Sequence, residues 1–457
     1  MNFKYSKFLF FIAYLSGVNA ALAQNTDWDM YINASANAYR QGDYATAETL
    51  LNSAQNEALK FGPDDIRVAT TLNNLGQLYN TEGKYAEAEP LFKRSLAMAE
   101  KALGPDHKIV ATSLNSLARL YKIQGKYKEA EPLYERSLAM AQKALGPDNH
   151  IVATSMNHLA LVYQAEGKYT AAELLFNRSL KIRETALGPN HPDVAQSLNN
   201  LAELYVVRGK YTEAGPLFKR ALAIVEKAPS SENQHIATCL NNLAGLYLNQ
   251  GKYNEAEPLF KRSLAIRETS LDPEDADLAQ SLNNLAELYL IRGKCAEAET
   301  LSTRSLVIAE KTLGPNHPTI AQSFNNLAAT YISQGKYSLA EPLCRRSLAI
   351  EEKALGPDHP DVAIGLNNLA TLCTKQSKYI EAEPLFKRSI AIQEKSLGLD
   401  HPNLAKVLTN YAVLLDKTKR TKEAKKLLDR AASINLKAFG KTNFHHSPSP
   451  KKKSAIP

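Results

Sequence analysis

The chain has 457 residues, of which 44% are hydrophobic and 22% charged, a composition that excludes collagen-like, mucin-like and wholly disordered proteins. Its formal charge is +8, but Lys4, Lys7, Lys441 and Lys451 to Lys453 lie at the two ends, so the body is near neutral and unsuited to nucleic acid. Four cysteines are too few for a disulfide scaffold.

The first element is an export signal. Lys4 and Lys7 precede the apolar run Phe8 to Val18, and Ala21-Leu22-Ala23 follows with small residues at its first and third places. This order describes a secretory signal peptide, residues 1–23, cleaved between Ala23 and Gln24. The run is shorter than the ~20 residues a membrane span needs. No cysteine follows it to carry a lipid, and no other segment is long and apolar enough to span. The expectation is an exported protein, periplasmic or secreted, with no membrane span.

A 42-residue period then takes over. Pro63, Pro105, Pro147 and Pro189 keep that step, and Pro273, Pro315 and Pro357 rejoin it. Ala69 recurs without a break to Ala405, and Arg94 recurs to Arg430. Nine units fill residues 63–440, and 24–62 form a weaker partial unit in which Gly42-Asp43-Tyr44 echoes Gly83-Lys84-Tyr85. Two breaker sites per unit imply two elements per unit. Both have helical spacing: Val68, Leu72, Leu75 and Tyr79 in the first, and Tyr85, Ala88, Leu91, Phe92, Leu96 and Ala99 in the second. Gly83 suits a left-handed stop. Pro192 suits a first helical position. Pro90 falls past the first turn and predicts a kink. The last unit reads as a cap, with Thr409, Leu415 and a polar run from Asp416 to Arg420. Residues 441–457 lack periodicity and are expected to be a disordered basic tail.

Leu72, Leu75, Gly76, Tyr79, Ala88 and Phe92 resemble the tetratricopeptide repeat signature. The 42-residue period and the stretch ALGPNHPDVAQSLNNLAELYVVRGKYTEA, residues 186–214, are similar to the long-repeat subclass found in kinesin light chains. The resemblance implies an all-α fold, a right-handed superhelical solenoid of antiparallel helix pairs in which each unit rests on its neighbours. It does not extend to a motor role, since no heptad coiled coil precedes the repeats and an export signal does.

Chemistry for catalysis is not evident. His107, His191, His317, His359 and His401 share one slot, but sites in adjacent units lie on the order of 10 Å apart, too far to share a ~2 Å-coordinated zinc. They read as residues that start the first helix. Cys295, Cys344 and Cys373 occupy core slots and Cys239 lies in a first helix, with a Cys344–Cys373 disulfide open in an oxidising compartment. No catalytic triad or nucleotide loop stands out, so the reading is a non-enzyme that requires no cofactor.

A strip beside the core stripe of the first helix carries the functional expectation. Stepping 100° per residue places Asn80, Asn73, Gln77 and Thr70 side by side. The Asn73 slot repeats as Asn115, Asn157, Asn199, Asn241, Asn283, Asn325 and Asn367. Asparagine is a poor mid-helix residue. The resemblance implies that this strip lines a concave groove where asparagines grip the backbone of an extended peptide. The alternative, left open, is that the amides bond neighbouring helices. In the first case the empty row faces water. Neighbouring slots supply Arg119 and Lys122, then Glu203, Leu248, Glu287 and Leu290, which favours a segment with apolar anchors over a uniformly acidic one. The reading is an exported protein- or peptide-binding scaffold. Its rivals are a structural scaffold using the convex face or the ends, and a cell-surface or polyanion binder using the tail. Oligomeric state is not readable.

Overall fold

A computed structural model describes residues 27–228, 233–270, 276–313 and 317–439. The expected signal peptide and basic tail lie outside them. The helices come in pairs: α1 (Asp27–Arg40) with α2 (Tyr44–Leu59), α3 (Ile66–Thr81) with α4 (Tyr85–Leu103), α5 (Lys108–Ile123) with α6 (Tyr127–Leu145), α7 (His150–Ala165) with α8 (Tyr169–Leu187), and α9 (Pro192–Val207) with α10 (Tyr211–Lys227). The series continues with α11 (Asn233–Asn249) and α12 (Tyr253–Ser270), α13 (Ala276–Ile291) and α14 (Cys295–Leu313), α15 (Pro318–Ser333) and α16 (Tyr337–Leu355), α17 (Pro360–Lys375) and α18 (Tyr379–Leu397), then α19 (Pro402–Lys417) and α20 (Thr421–Phe439). No strand occurs among the described residues. The fold is all-α, as the periodicity predicts.

The repeated punctuation sets each boundary. The slot before a first helix holds Asp65, His107, Asn149, His191, His359 or His401, and each side chain accepts the backbone N–H two residues on. These side chains occupy donors that the helix start would leave orphaned. At the far end the Lys84 N–H bonds the Tyr79 carbonyl at 2.8 Å while Gly83 takes φ 75°, a left-handed stop. The last two units put Ser377 (φ 63°) and Lys419 (φ 65°) at that glycine position. Helix α4 runs unbroken through Pro90.

Within a unit the two helices approach closely at the invariant alanine. Ser95 donates to the Ala69 carbonyl at 2.7 Å, and the Ser179–Ala153, Ser263–Ala237 and Ser389–Ala363 pairs repeat the bond. Between units, the Arg94 slot makes a clamp. Arg136 pairs with Glu100 at 2.5 Å and donates to the Pro105 carbonyl, and Arg388 does the same with Glu352 and Pro357.

First helices meet the first helices of the next unit from α3 to α5 and from α7 to α19, so they line the tighter, inner side of a superhelix. Its successive turns touch. The His317 Nε2–H donates to the Thr81 carbonyl at 3.1 Å and the His359 Nε2–H to the Ile123 carbonyl at 2.9 Å. His359 Nδ1 already accepts the Asp361 N–H, which leaves the proton on Nε2. A Cβ on Gly125 would lie 2.7 Å from Pro360 Cδ, so only glycine fits there. Gly167 approaches His401 less closely, with a Cβ there 3.3 Å from His401 Cδ2. Unit one therefore meets unit seven, two meets eight and three meets nine, which encloses the inner face in a bore.

Candidate functional site: the asparagine row and the bore

The row does not face water, which corrects the expectation for an empty groove. Asn73, Asn157, Asn199, Asn241, Asn283 and Asn367 are all buried, and Asn115 and Asn325 are half-buried. The cause is the inner packing, where the next first helix takes up the amide nitrogens of three members of the row. Asn157 donates to Ser197 Oγ at 3.4 Å, Asn199 to Cys239 Sγ at 3.0 Å and Asn283 to Ser323 Oγ at 3.1 Å. The amide oxygens are a different matter. Oδ1 of Asn73, Asn115, Asn157, Asn199, Asn241, Asn283 and Asn325 is buried without a hydrogen-bond partner in each case. Asn367 is the exception, its Oδ1 accepting from Asn410 at 3.0 Å. The nitrogens of Asn157, Asn199 and Asn283 tie adjacent units together, and seven oxygens of the row have no protein donor.

The charged slots lie along the same wall. Arg119 is buried and donates to Gln77 of the preceding unit. Burial and then Arg119 push the Lys122 ammonium down to about 8. His158 is pushed down to about 3 by burial, with Lys122, Arg119 and Arg183 adding to it. Further along, burial raises the Glu203 carboxyl although Asn242 donates to it at 2.8 Å. Glu287 keeps contact with solvent, yet the surrounding protein raises it too, and Lys406, three units on and half a turn away, pulls it back. Leu248 and Leu290 are half-buried on the helices that follow Glu203. The inner wall is thus basic at Arg119 and Lys122, neutral at His158, and carries the carboxyls Glu203 and Glu287.

Cys344 and Cys373 are buried free thiols in one hydrophobic cluster, so the open disulfide is not formed. The slot histidines start helices, as expected, and His317 and His359 also bridge turns, which no local pattern announces. No group of three potential metal ligands exists among the described residues.

The family model described as tetratricopeptide repeat matches the chain in overlapping stretches from residues 29 to 269 and from 277 to 437. The chain belongs to the tetratricopeptide repeat family. No curated protein matches it. Among solved structures, it is similar to a Podosopora anserina protein named for its "kinesin light chain nearly identical TPR-like repeats", at 30% identity over 45% of this chain and 98% of that one, TM-score 0.38. BtubC (BKLC) from P. vanneervenii aligns at 23% identity over 54% of this chain and 92% of that one, TM-score 0.41. A Rap protein complexed with Competence and Sporulation Factor aligns at 16% identity over 81% of this chain and 98% of that one, TM-score 0.54.

Proposed function

We propose that the chain is an exported scaffold that binds an extended peptide segment of a partner protein inside the bore and performs no catalysis. The observation that carries this reading is the run of seven buried, unpartnered asparagine oxygens. A buried acceptor without a donor costs ~1–3 kcal/mol, and one tolerated in unit after unit has a use. Peptide N–H groups at ~3.4 Å per residue are donors of suitable density, about one in three falling opposite a unit. The Rap protein of the same fold is complexed with a factor, which supports a binding role for such a solenoid. Half-buried Leu248 and Leu290 offer apolar contacts, and the mixed charge of the bore selects against a uniformly acidic segment.

The test is display selection on the mature chain from a random library of peptides about ten residues long, which span roughly three units. Enrichment of a sequence family with apolar positions supports the reading, and a library that stays unenriched on the folded chain overturns it. Export is checked separately. Protein from its native host should have the intact mass of a chain beginning at Gln24, and retention of residues 1–23 would refute that part.

A further inference from the structure

Where the second helix of one unit meets the first helix of the next, one slot on the second helix points into the joint beside the asparagine row. It reads Ala99, Ala141, Arg183, Val225, Arg267, Ala309, Glu351 and Gln393. In two units the joint holds a guanidinium. Arg183 Nη1 donates to the Asp193 carbonyl at 2.8 Å, to Gln196 Oε1 at 3.0 Å and to Ser197 Oγ at 3.0 Å, while Nη2 donates to Thr154 Oγ1 at 2.9 Å. Arg267 repeats this with the Asp277 carbonyl and Ser281 Oγ, both at 2.6 Å. Ser197 also accepts from Asn157, which fixes the joint next to the row. A repeat protein therefore displays its own picture of what such a joint accommodates.

In the seventh unit the joint is inverted. Glu351 replaces the arginine and is 6% exposed. Its Oε1 lies 3.5 Å from both Ser347 Oγ and Asn325 Nδ2, while Oε2 has no partner. Asn325 Oδ1 has none either. Gly365 stands where Ser197 and Ser281 stand in the other joints, and a Cβ there would be 2.6 Å from Glu351 Oε2. The glycine makes room for the carboxylate and removes a hydroxyl that would have satisfied it. The Asp361 carbonyl occupies the place of the carbonyls that Arg183 and Arg267 use. The acids that act on Glu351 are Asp361 and Glu352, the latter paired with Arg388. Burial, then Asp361, raises the carboxyl to about 8, with Glu352 adding a smaller push.

We propose that the joint around Glu351, Asn325 and Gly365 is a subsite for a basic side chain of the bound segment, an arginine guanidinium above all. The reading of the bore as a peptide site is the ground it rests on. Two unpartnered acceptors and a carboxylate match a planar, five-donor cation, and the pairing is charge-assisted. The guanidinium would enter from the bore and supply the positive charge that Arg183 and Arg267 supply from within the chain.

The experiment is calorimetric titration of the mature chain near pH 8 with arginine amide, and with citrulline amide as the neutral isostere. Arginine amide should bind at one saturable site, citrulline amide at least tenfold more weakly. Glu351→Gln, which keeps the shape, should abolish the difference, whereas Glu352→Gln at the neighbouring clamp should not. Circular dichroism establishes that both variants are folded. Absence of saturable binding, or equal binding in Glu351→Gln, overturns the subsite. Its failure alongside intact peptide binding discards the subsite alone. Unchanged peptide binding on changing Asn199, Asn241 and Asn283, with arginine amide binding intact, discards the groove reading alone.

Discussion

Glu351 shows how one residue tunes the stability of the whole chain. Its carboxyl is held near 8 in the folded state, above the ordinary value of about 4.5. Between those two pH values the folded chain keeps a proton that the unfolded chain releases, so this group makes stability fall as pH rises through that window. Glu351→Gln removes the titration. The variant should match the wild type near pH 4 and exceed it near pH 9, by up to roughly 5 kcal/mol from the size of the shift. Thermal melts at both pH values check this, and parallel profiles for the two proteins contradict it. A second prediction concerns Ser377 and Lys419, held at positive φ where the other units have glycine. Left-handed backbone costs a non-glycine residue roughly 1–2 kcal/mol. Ser377→Gly should therefore raise the denaturation midpoint, less the entropy that glycine adds to the unfolded chain. Both sites were legible in the sequence as departures from a slot, Glu351 among alanines and arginines, and Ser377 among glycines. What the slot could not convey was the missing partner, because that depends on the helix across the joint.

At the scale of the helix pair, most of the architecture was written in the period. Proline, glycine and the capping slot mark the ends, and apolar spacing marks the faces. The unbroken Ala69 ladder was visible as a pattern, and its cause became visible only with the serine bond across the pair. Ser179 donates to the Ala153 carbonyl at 2.9 Å in a buried setting. Ser179→Ala should cost about 0.5–1.5 kcal/mol, because that carbonyl also takes part in its own helix. Ala153→Leu should cost more, about 1–3 kcal/mol, by forcing the two helices apart. Chemical denaturation of the two variants gives the order, and a reversal would count against close approach as the reason for alanine. The asparagine strip was legible by angle. Its burial was not, since 100° steps locate a face on one helix and say nothing of what the next unit lays over it.

For the whole molecule, contact between turns is the feature that sequence reasoning could not reach. Units six apart share no local pattern, and the number of units per turn follows from small rotations accumulated at every joint. His317→Ala with His359→Ala removes both bonds across the turns. Small-angle scattering should then report a longer particle at unchanged helical circular dichroism, and an unchanged maximum dimension would show that the bonds do not hold the turns together. Enclosure also sharpens the functional reading, because a segment in the bore meets protein on all sides rather than one open face. The central claim is that the amide oxygens of the row bind that segment. It is tested most directly by the dissociation constant of a library-selected peptide for the Asn199→Ala, Asn241→Ala, Asn283→Ala triple variant, measured at a temperature where melting shows it folded. The amide nitrogens of Asn199 and Asn283 bond the next unit, so some loss of stability is expected. At ~0.5–1.5 kcal/mol per lost bond, plus the peptide donors left unpaired, affinity should fall on the order of 100-fold. An affinity within about threefold of the wild type would contradict the account.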